Sequence, residues 1–439
     1  MFSLRDDRLI IFIKMKIFFL ILVYISSYNV NAQYNLTYYL SNAFQNSPIL
    51  NENKNKSQVN QLEMERLKAL YFSPKIGITA NYMFSPILSK DNNKTSLALN
   101  SNGATNYYGY DLGASNGGRY QALLEITQPL FNRKLYEIAT KQLNIASQLN
   151  ENSVNISKHE IEKIVTDQYI LCLQNRKEIN YADTMMKLLT TQKTILEKLV
   201  MSSIYKQSDL TLLNIEYQNF LSQLTTYKAN YRRNLMDLNI ICGINDTTNV
   251  RLDDAELTLN NKTFASNFLE KYRLDSLSLI AQLNVLELKY KPQLNLFANA
   301  GLNAVYEPTI PNRFGMSAGL SFTYNFYDGN QKLINRKKIQ VLGTTVSFYK
   351  ENFVKQNHIR KSKILAEIQS YYDRIAVAEQ QLKDYESVLN SYKREFLSGQ
   401  LSVINYIMVL KNMASINRDY TLLFSQQQSL INAYNYWNW

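Results

Sequence analysis

Residues 74–84 read Pro74-Lys75-Ile76-Gly77-Ile78-Thr79-Ala80-Asn81-Tyr82-Met83-Phe84. Ile76, Ile78, Ala80, Tyr82 and Phe84 alternate with Lys75, Gly77, Thr79, Asn81 and Met83, the period of two of a strand with one apolar face. The same alternation returns three times. From Arg119 to Phe131, Tyr120, Ala122, Leu124, Ile126 and Leu130 oppose Arg119, Gln121, Glu125 and Thr127. Leu294, Leu296, Ala298, Ala300, Leu302, Ala304 and Tyr306 alternate with Gln293, Asn295, Asn299, Gly301 and Asn303. Met316, Ala318, Leu320, Phe322, Tyr324 and Phe326 alternate with Gly315, Ser317, Gly319, Ser321, Thr323 and Asn325. Four strands of roughly 11 to 14 residues are long enough to cross a bilayer when tilted. Their second faces are too polar and too small to pack a core, and aromatics gather near the strand ends (Tyr82, Phe84, Tyr120, Phe131, Tyr306, Phe326, Tyr327), as at a membrane interface. A soluble pair of sandwich hairpins would alternate in the same way. Four strands cannot close a barrel, however, and lipid does not tolerate open sheet edges, so the membrane reading demands oligomerisation.

Outside these blocks the chain is helical. The seven prolines stand at 48, 74, 86, 129, 292, 308 and 311, and ten of the thirteen glycines lie in 77–118 or 301–329. Proline removes a backbone donor and glycine costs entropy, so both are kept out of helix interiors. The breaker-free run from Asn132 to Leu199 predicts a helix on the order of 100 Å long, more than an ordinary globular domain needs. Returning helices carry coiled-coil seams, one through Leu210, Leu213, Tyr217, Phe220, Leu224, Tyr227 and Tyr231, the other through Tyr406, Val409, Met413, Ile416, Tyr420, Leu423, Gln427, Leu430 and Tyr434.

Composition narrows the function. The 439 residues contain two His and two Cys. His159, His358, Cys172 and Cys242 are isolated from one another, which argues against a metal cluster, a bound cofactor or a Cys/His nucleophile, and no convergent nucleophile, base and oxyanion set suggests an enzyme. The cysteines read as small buried apolar residues rather than a disulfide. The net charge of +12 is spread along helices with no basic run longer than Arg336-Lys337-Lys338, a solvated face rather than a nucleic-acid surface. Met15 to Ala32 has a basic start, an apolar run and small residues Val30 and Ala32, the pattern of a secretory signal peptide over 1–32 with Met15 the better-placed start. Its removal takes away four basic and two acidic residues and leaves +10.

The chain also repeats itself. Tyr71-Phe72-Ser73-Pro74 matches Tyr290-Lys291-Pro292, Thr127 to Asn132 matches Thr323 to Asp328 at an offset of 196, and Ser208 to Gln223 matches Ser402 to Asn417 at an offset of 194. The unit is helix, strand, strand, long helical hairpin. The resulting division is a signal peptide (1–32), N-terminal helices (33–73), a first β-hairpin (74–131) with a long loop 86–118, a first helical hairpin with connecting helices (132–291), a second β-hairpin (292–327) with a short loop 307–314, and a second helical hairpin with the C-terminal segment (328–439). The terminal Tyr436-Trp437-Asn438-Trp439 reads either as an anchor to the interface or to an assembly factor, or as a mobile tail.

Four motifs in this order carry a family resemblance: Ser73-Pro74-Lys75-Ile76-Gly77-Ile78, Thr127-Gln128-Pro129-Leu130-Phe131, Tyr327-Asp328-Gly329-Asn330 and Phe396-Leu397-Ser398-Gly399-Gln400-Leu401-Ser402. With the duplication and the signal peptide, the mature chain resembles the TolC-like outer-membrane efflux proteins over essentially its whole length. The resemblance implies mixed α and β structure in which a homotrimer closes a 12-stranded antiparallel transmembrane barrel, four strands per chain, continuous with a long periplasmic helical coiled-coil barrel. It implies no catalysis. The partners would be outer-membrane lipid, a periplasmic adaptor (membrane-fusion) protein and an inner-membrane pump, with no nucleic acid. Drug or metal efflux and one-step (type I) protein secretion share this architecture, and a secreted coiled-coil scaffold is the non-channel alternative.

By the same resemblance the periplasmic entrance and adaptor contact lie at the helix turns, at Tyr205, Lys206, Gln207, Ser208 and Asp209 and at Gly399, Gln400, Leu401, Ser402 and Asn405. Gly399 suits a turn that needs a residue without a Cβ, and the first copy places Tyr205 opposite it, with Ser203 nearby. A bulky β-branched residue should therefore harm Gly399 more than Gly109. The acidic constriction that such proteins often carry falls on Asn405 and Met408 here, so cation selectivity does not transfer. Asp209 is either one of a ring of carboxylates or a helix N-terminal charge after the candidate cap Ser208.

Overall fold

A computed structural model describes residues 34–99, 105–110, 118–260 and 266–439. The expected signal peptide, with Met15, lies outside the described residues. The chain divides into two compact units, one of 1–47, 159–261 and 361–437, the other of 48–158, 262–360 and 438–439.

The second unit holds the sheet. Helix α1, Leu36–Asn46, belongs to the first unit, and α2, Pro48–Phe72, leads into strand β1, Lys75–Phe84. Three short strands follow, β2 Ile87–Ser89, β3 Ser96–Ala98 and β4 Tyr107–Tyr108, then β5, Gly118–Leu130. After the helical hairpin come α5, Leu269–Leu286, a 3-10 turn Glu287–Tyr290, β6, Gln293–Ala304, and β7, Phe314–Thr323. Strands β1, β5, β6 and β7 form one antiparallel sheet in that order, leaving β1 and β7 as its edges. Backbone pairing aligns the two faces across all four strands. Ile78, Leu124, Ala300 and Met316 are neighbours on one face, as are Ile76, Ile126, Ala298 and Ala318. On the other, Gly77, Glu125, Asn299 and Ser317 line up, with Ser317 Oγ donating to Asn299 Oδ1 at 2.8 Å. The apolar face is bare: Ile78 is 80% and Met316 83% exposed.

The strands depart from expectation in three respects. The third ends at Ala304 and the fourth at Thr323, so Tyr306, Tyr324 and Phe326 lie beyond the ladder. The polar face is less uniformly small than the alternation predicts, since Leu123 and Phe297 lie on it. Each is matched by a glycine: a Cβ on Gly301 would collide with the backbone of Ala122 and Leu123, and one on Gly319 would sit 2.8 Å from Phe297 Cζ. Finally, the loop 86–118 contains its own sheet, ordered β3-β2-β4, in which Ile87 of β2 is buried, and Asp91 in the same loop accepts hydrogen bonds from Thr105 and Asn106.

Two long helices contribute to both units. Helix α3, Arg133–Met201, runs 69 residues and returns as α4, Gln207–Cys242; α6, Gln331–Leu397, runs 67 and returns as α7, Val403–Trp437. The first unit has a core in which Tyr39, Val165, Tyr169, Tyr231, Leu235, Leu238 and Leu252 pack together. Polar anchors hold the irregular chain after α4 on this core: the hydroxyl of Tyr169 donates to Asp253 O at 2.7 Å, that of Tyr231 to Val250 O at 2.7 Å, and Arg176 bonds Leu252 O and Asp254. Cys172 and Cys242 sit in the same core as free thiols, each pushed up to about 12 by burial. Among the described residues no helix is long and apolar enough to cross a membrane.

The C-terminus is docked. Trp439 accepts a hydrogen bond from Asn267 N at 3.1 Å and meets the Phe268 ring at 5.2 Å, while Tyr436 stacks on His159 at 4.8 Å. These contacts correct the mobile-tail alternative.

Candidate functional site

The two helix turns lie together within the first unit and share one core. Ala182, Met185, Leu189 and Leu196 of α3, Leu213, Phe220 and Leu224 of α4, Phe396 of α6 and Val403, Tyr406 and Leu410 of α7 are all buried in it. The seams at Leu213, Phe220, Leu224, Tyr231, Tyr406 and Met413 are buried as the periodicity predicts.

Both turns end their helix with the same hydrogen bonds. In the first, Ser203 N donates to Val200 O at 3.0 Å and Ile204 N to Leu199 O at 2.9 Å; in the second, Gly399 N donates to Phe396 O at 3.2 Å and Gln400 N to Glu395 O at 3.0 Å. Each is a Schellman closure, which requires a left-handed residue, and Ser203 (φ 59) and Gly399 (φ 76) supply it. This corrects the sequence register: Gly399 corresponds to Ser203, at an offset of 196, and not to Tyr205. The two turns are built alike.

Tyr205 instead ties one turn to the other. Its ring stacks on Phe396 at 5.3 Å, and its hydroxyl donates to Leu401 O at 2.7 Å, with Phe396 O also within reach at 3.1 Å. Burial, with a smaller contribution from the Asp209 charge, raises the pKa of this phenol above its ordinary value, so it remains a donor at neutral pH. Tyr406 extends the stack, 5.2 Å from Phe396. Gly399 faces the first turn so closely that a Cβ would lie 2.6 Å from Ile204 Cγ2.

The N-cap of α4 is Lys206, not Ser208, and Asp209 closes it: the Lys206 N–H donates to Asp209 Oδ2 at 3.0 Å. A carboxylate in the first turn compensates the unpaired N–H groups there. Among the expected site residues, Tyr205, Leu401 and Gly399 meet across the turns, Lys206 and Asp209 meet within one, and Gln207, Ser208, Gln400, Ser402 and Asn405 are exposed. The control at Gly109 does not stand, because a Cβ there would lie 2.8 Å from Ile87 Cγ2. One pair escaped the sequence reading. Glu216, 5% exposed in the seam of α4, accepts from Asn219 Nδ2 at 3.2 Å and lies 3.7 Å from Lys411 Nζ of α7. Its signal was an acid between two seam positions, Leu213 and Tyr217.

Solved structures resemble this chain throughout. The outer-membrane channel OprN matches with a TM-score of 0.66 at 10% identity, covering 92% of this chain and 89% of that one. The outer membrane protein VceC of Vibrio cholerae matches with a TM-score of 0.66 at 12% identity, over 92% of this chain and 95% of that one. The open-state outer membrane channel MtrE of Neisseria gonorrhoeae matches at 0.61 and 12% identity, over 92% and 88%. The chain has the outer-membrane channel fold. No family model and no curated protein matches it in sequence. Within the channel fold, the four-stranded sheet and the two long helical hairpins are the duplicated parts, and the paired turns are where the hairpins of the two copies meet.

Proposed function

We propose that three copies of the chain close a 12-stranded barrel in an outer membrane, β7 of each pairing with β1 of the next, and that their helical hairpins wall the conduit leading to it. The assembly is a passive exit duct for substrates delivered by an inner-membrane pump through a periplasmic adaptor. The observation that carries this reading is the sheet, which has two unpaired edges, one continuous bare apolar face and one polar face, the combination that lipid outside and water inside would stabilise. A secreted scaffold would leave both edges and that face in water. The fold shared with OprN, VceC and MtrE, each described as an outer-membrane protein or channel, supports the same reading.

The chain supplies no chemistry in this role; it supplies a wall and a gate. The turns around Tyr205, Lys206, Gln207, Ser208 and Asp209 and around Gly399, Gln400, Leu401, Ser402 and Asn405 form the entrance and the adaptor contact. Separating the two hairpins breaks the Tyr205 hydrogen bond to Leu401 O and its stack on Phe396, a cost of about 1 kcal/mol for the hydrogen bond and about 1 kcal/mol for the ring pair. Adaptor binding at the turns would offset a cost of that size.

Membrane fractionation, followed by planar-bilayer conductance of the detergent-purified oligomer, tests the proposal. An outer-membrane trimer with small, gated conductance is expected. A soluble, non-conducting product overturns it.

A further inference from the structure

We infer that the junction between α5 and β6, with the start of α6, is a docking surface for the phosphate groups of anionic phospholipids. The inference rests on the channel reading, which places this junction at the membrane surface. Two chain segments converge on one ring: Lys289 Nζ lies 4.9 Å and Lys332 Nζ 5.3 Å from the centre of Tyr290. The Tyr290 hydroxyl donates to Asp328, whose Oδ2 also accepts from Lys332 N at 3.0 Å. The other carboxylate of the junction, Glu287, is clamped by Arg336 at 2.6 and 3.0 Å. Glu287 is thus paired with Arg336, Asp328 keeps its charge with only the Tyr290 hydroxyl and the Lys332 N–H as donors, and Lys289 Nζ donates to Gln331 Oε1 at 3.3 Å; among the described residues Lys289, Lys291 and Lys332 make no ion pair with a carboxylate, so these lysines and Arg336 outnumber the two carboxylates.

The surroundings select a lipid rather than a free anion. The apolar face of β7 ends at Phe322, and Tyr324, Phe326 and Tyr327 follow, Phe326 being 88% exposed. An apolar strand face, then aromatic rings, then ammonium groups is the order of hydrocarbon, interface and phosphate in a leaflet. The duplication places the charge differently: where the second copy has Lys289-Tyr290-Lys291 before its proline, the first has Tyr71-Phe72-Ser73, its cations being Lys75 after the proline and Arg133 and Lys134 at the start of α3.

The test titrates the detergent-extracted full-length protein with fluorescent phosphatidylglycerol and, separately, phosphatidylcholine, alongside bilayer conductance of the same preparation. Preferential retention of phosphatidylglycerol is expected, falling by about five-fold for each lysine removed in K289Q, K291Q and K332Q. The combined K289R/K291R/K332R variant should keep the preference, which separates charge from folding. Equal retention of the two lipids, a preference unchanged in the combined K289Q/K291Q/K332Q variant, or displacement of the lipid by millimolar inorganic phosphate would each overturn the inference. Conductance without a lipid preference defeats this inference alone, whereas absence of conductance defeats the channel reading beneath it.

Discussion

The two copies of the repeat end their long helices in the same backbone turn but fill its left-handed position differently, with Ser203 in one and Gly399 in the other. Ordinary L residues enter that conformation at a cost of roughly 1–2 kcal/mol, and a serine can bear it. What the second copy cannot bear is a Cβ, because Ile204 of the first copy's turn occupies the space. The residue at the turn is therefore set less by its own φ than by the neighbour packed on it.

The largest expected effect tests that asymmetry. Gly399→Val adds left-handed strain to a collision with Ile204, and should destabilise the helical hairpins by about 3 kcal/mol. The midpoint of urea unfolding, followed by helical circular dichroism, reads it. Gly343→Val, at a half-buried helical position with nothing within 4 Å of the added Cβ, is the control, and equal shifts would break the comparison. Next in size, Tyr205→Phe keeps the stack and removes the hydrogen bond to Leu401 O, costing about 1 kcal/mol. In single-channel records it should lengthen openings; unaltered open times would separate the turn contact from gating. Ser203→Gly should act in the opposite direction, stabilising by about 0.5 kcal/mol as relief of strain outweighs the greater freedom of glycine in the unfolded chain. A destabilised S203G protein would mean that the serine side chain has a role beyond the turn.

The junctions before the third and first strands differ in a further way. Amides join both, Gln128 Nε2 donating to Phe72 O at 2.9 Å and Asn132 Nδ2 to Tyr71 O at 3.3 Å in the first copy and Asn325 Nδ2 to Lys289 O at 3.2 Å in the second, but only the second adds a charged pair. In the second, the Glu287 carboxyl is held below its ordinary value by its hydrogen bonds with Arg336. A depressed folded value means a contribution that is present above the ordinary carboxylate range and lost as pH falls through the depressed one. Below about pH 4, amide exchange at the base of β6 should therefore quicken while that of β1 does not, the smallest of these effects. Equal acceleration at both strands would show that the charged junction adds nothing.

Much of this was legible in the sequence because periodicity is local. Four alternating runs and two breaker-free stretches identify the strands and helices, since side-chain direction along one strand or helix follows from its own residues. The lapses are all matters of what lies opposite. Phe297 is tolerated on the polar face because Gly319 on the neighbouring strand makes room, and Gly301 lets its strand's backbone approach that of Ala122 and Leu123, which no single strand can reveal. The 194 offset was drawn from Ser208 and Ser402, whereas the backbone aligns Lys206 with Ser402 as the residues preceding α4 and α7. At the turns, Gly399 was found from its type, but Ile204, which gives the glycine its necessity, had no signal. The pairing of Tyr205 with the Leu401 carbonyl was likewise invisible, because its acceptor is main chain.

The unpaired edges of the sheet bear on inheritance. A dimer formed through β1 and β7 still exposes one of each, so only the closing step of a ring removes the last pair of edges, and no partial assembly enjoys its benefit. A subunit altered at one edge would then spoil every ring it enters, including those in which the other members are intact. Mutations on the facing edges of Lys75–Phe84 and Phe314–Thr323 are expected to be dominant when expressed beside the unaltered gene, and those in the connection 307–313 recessive.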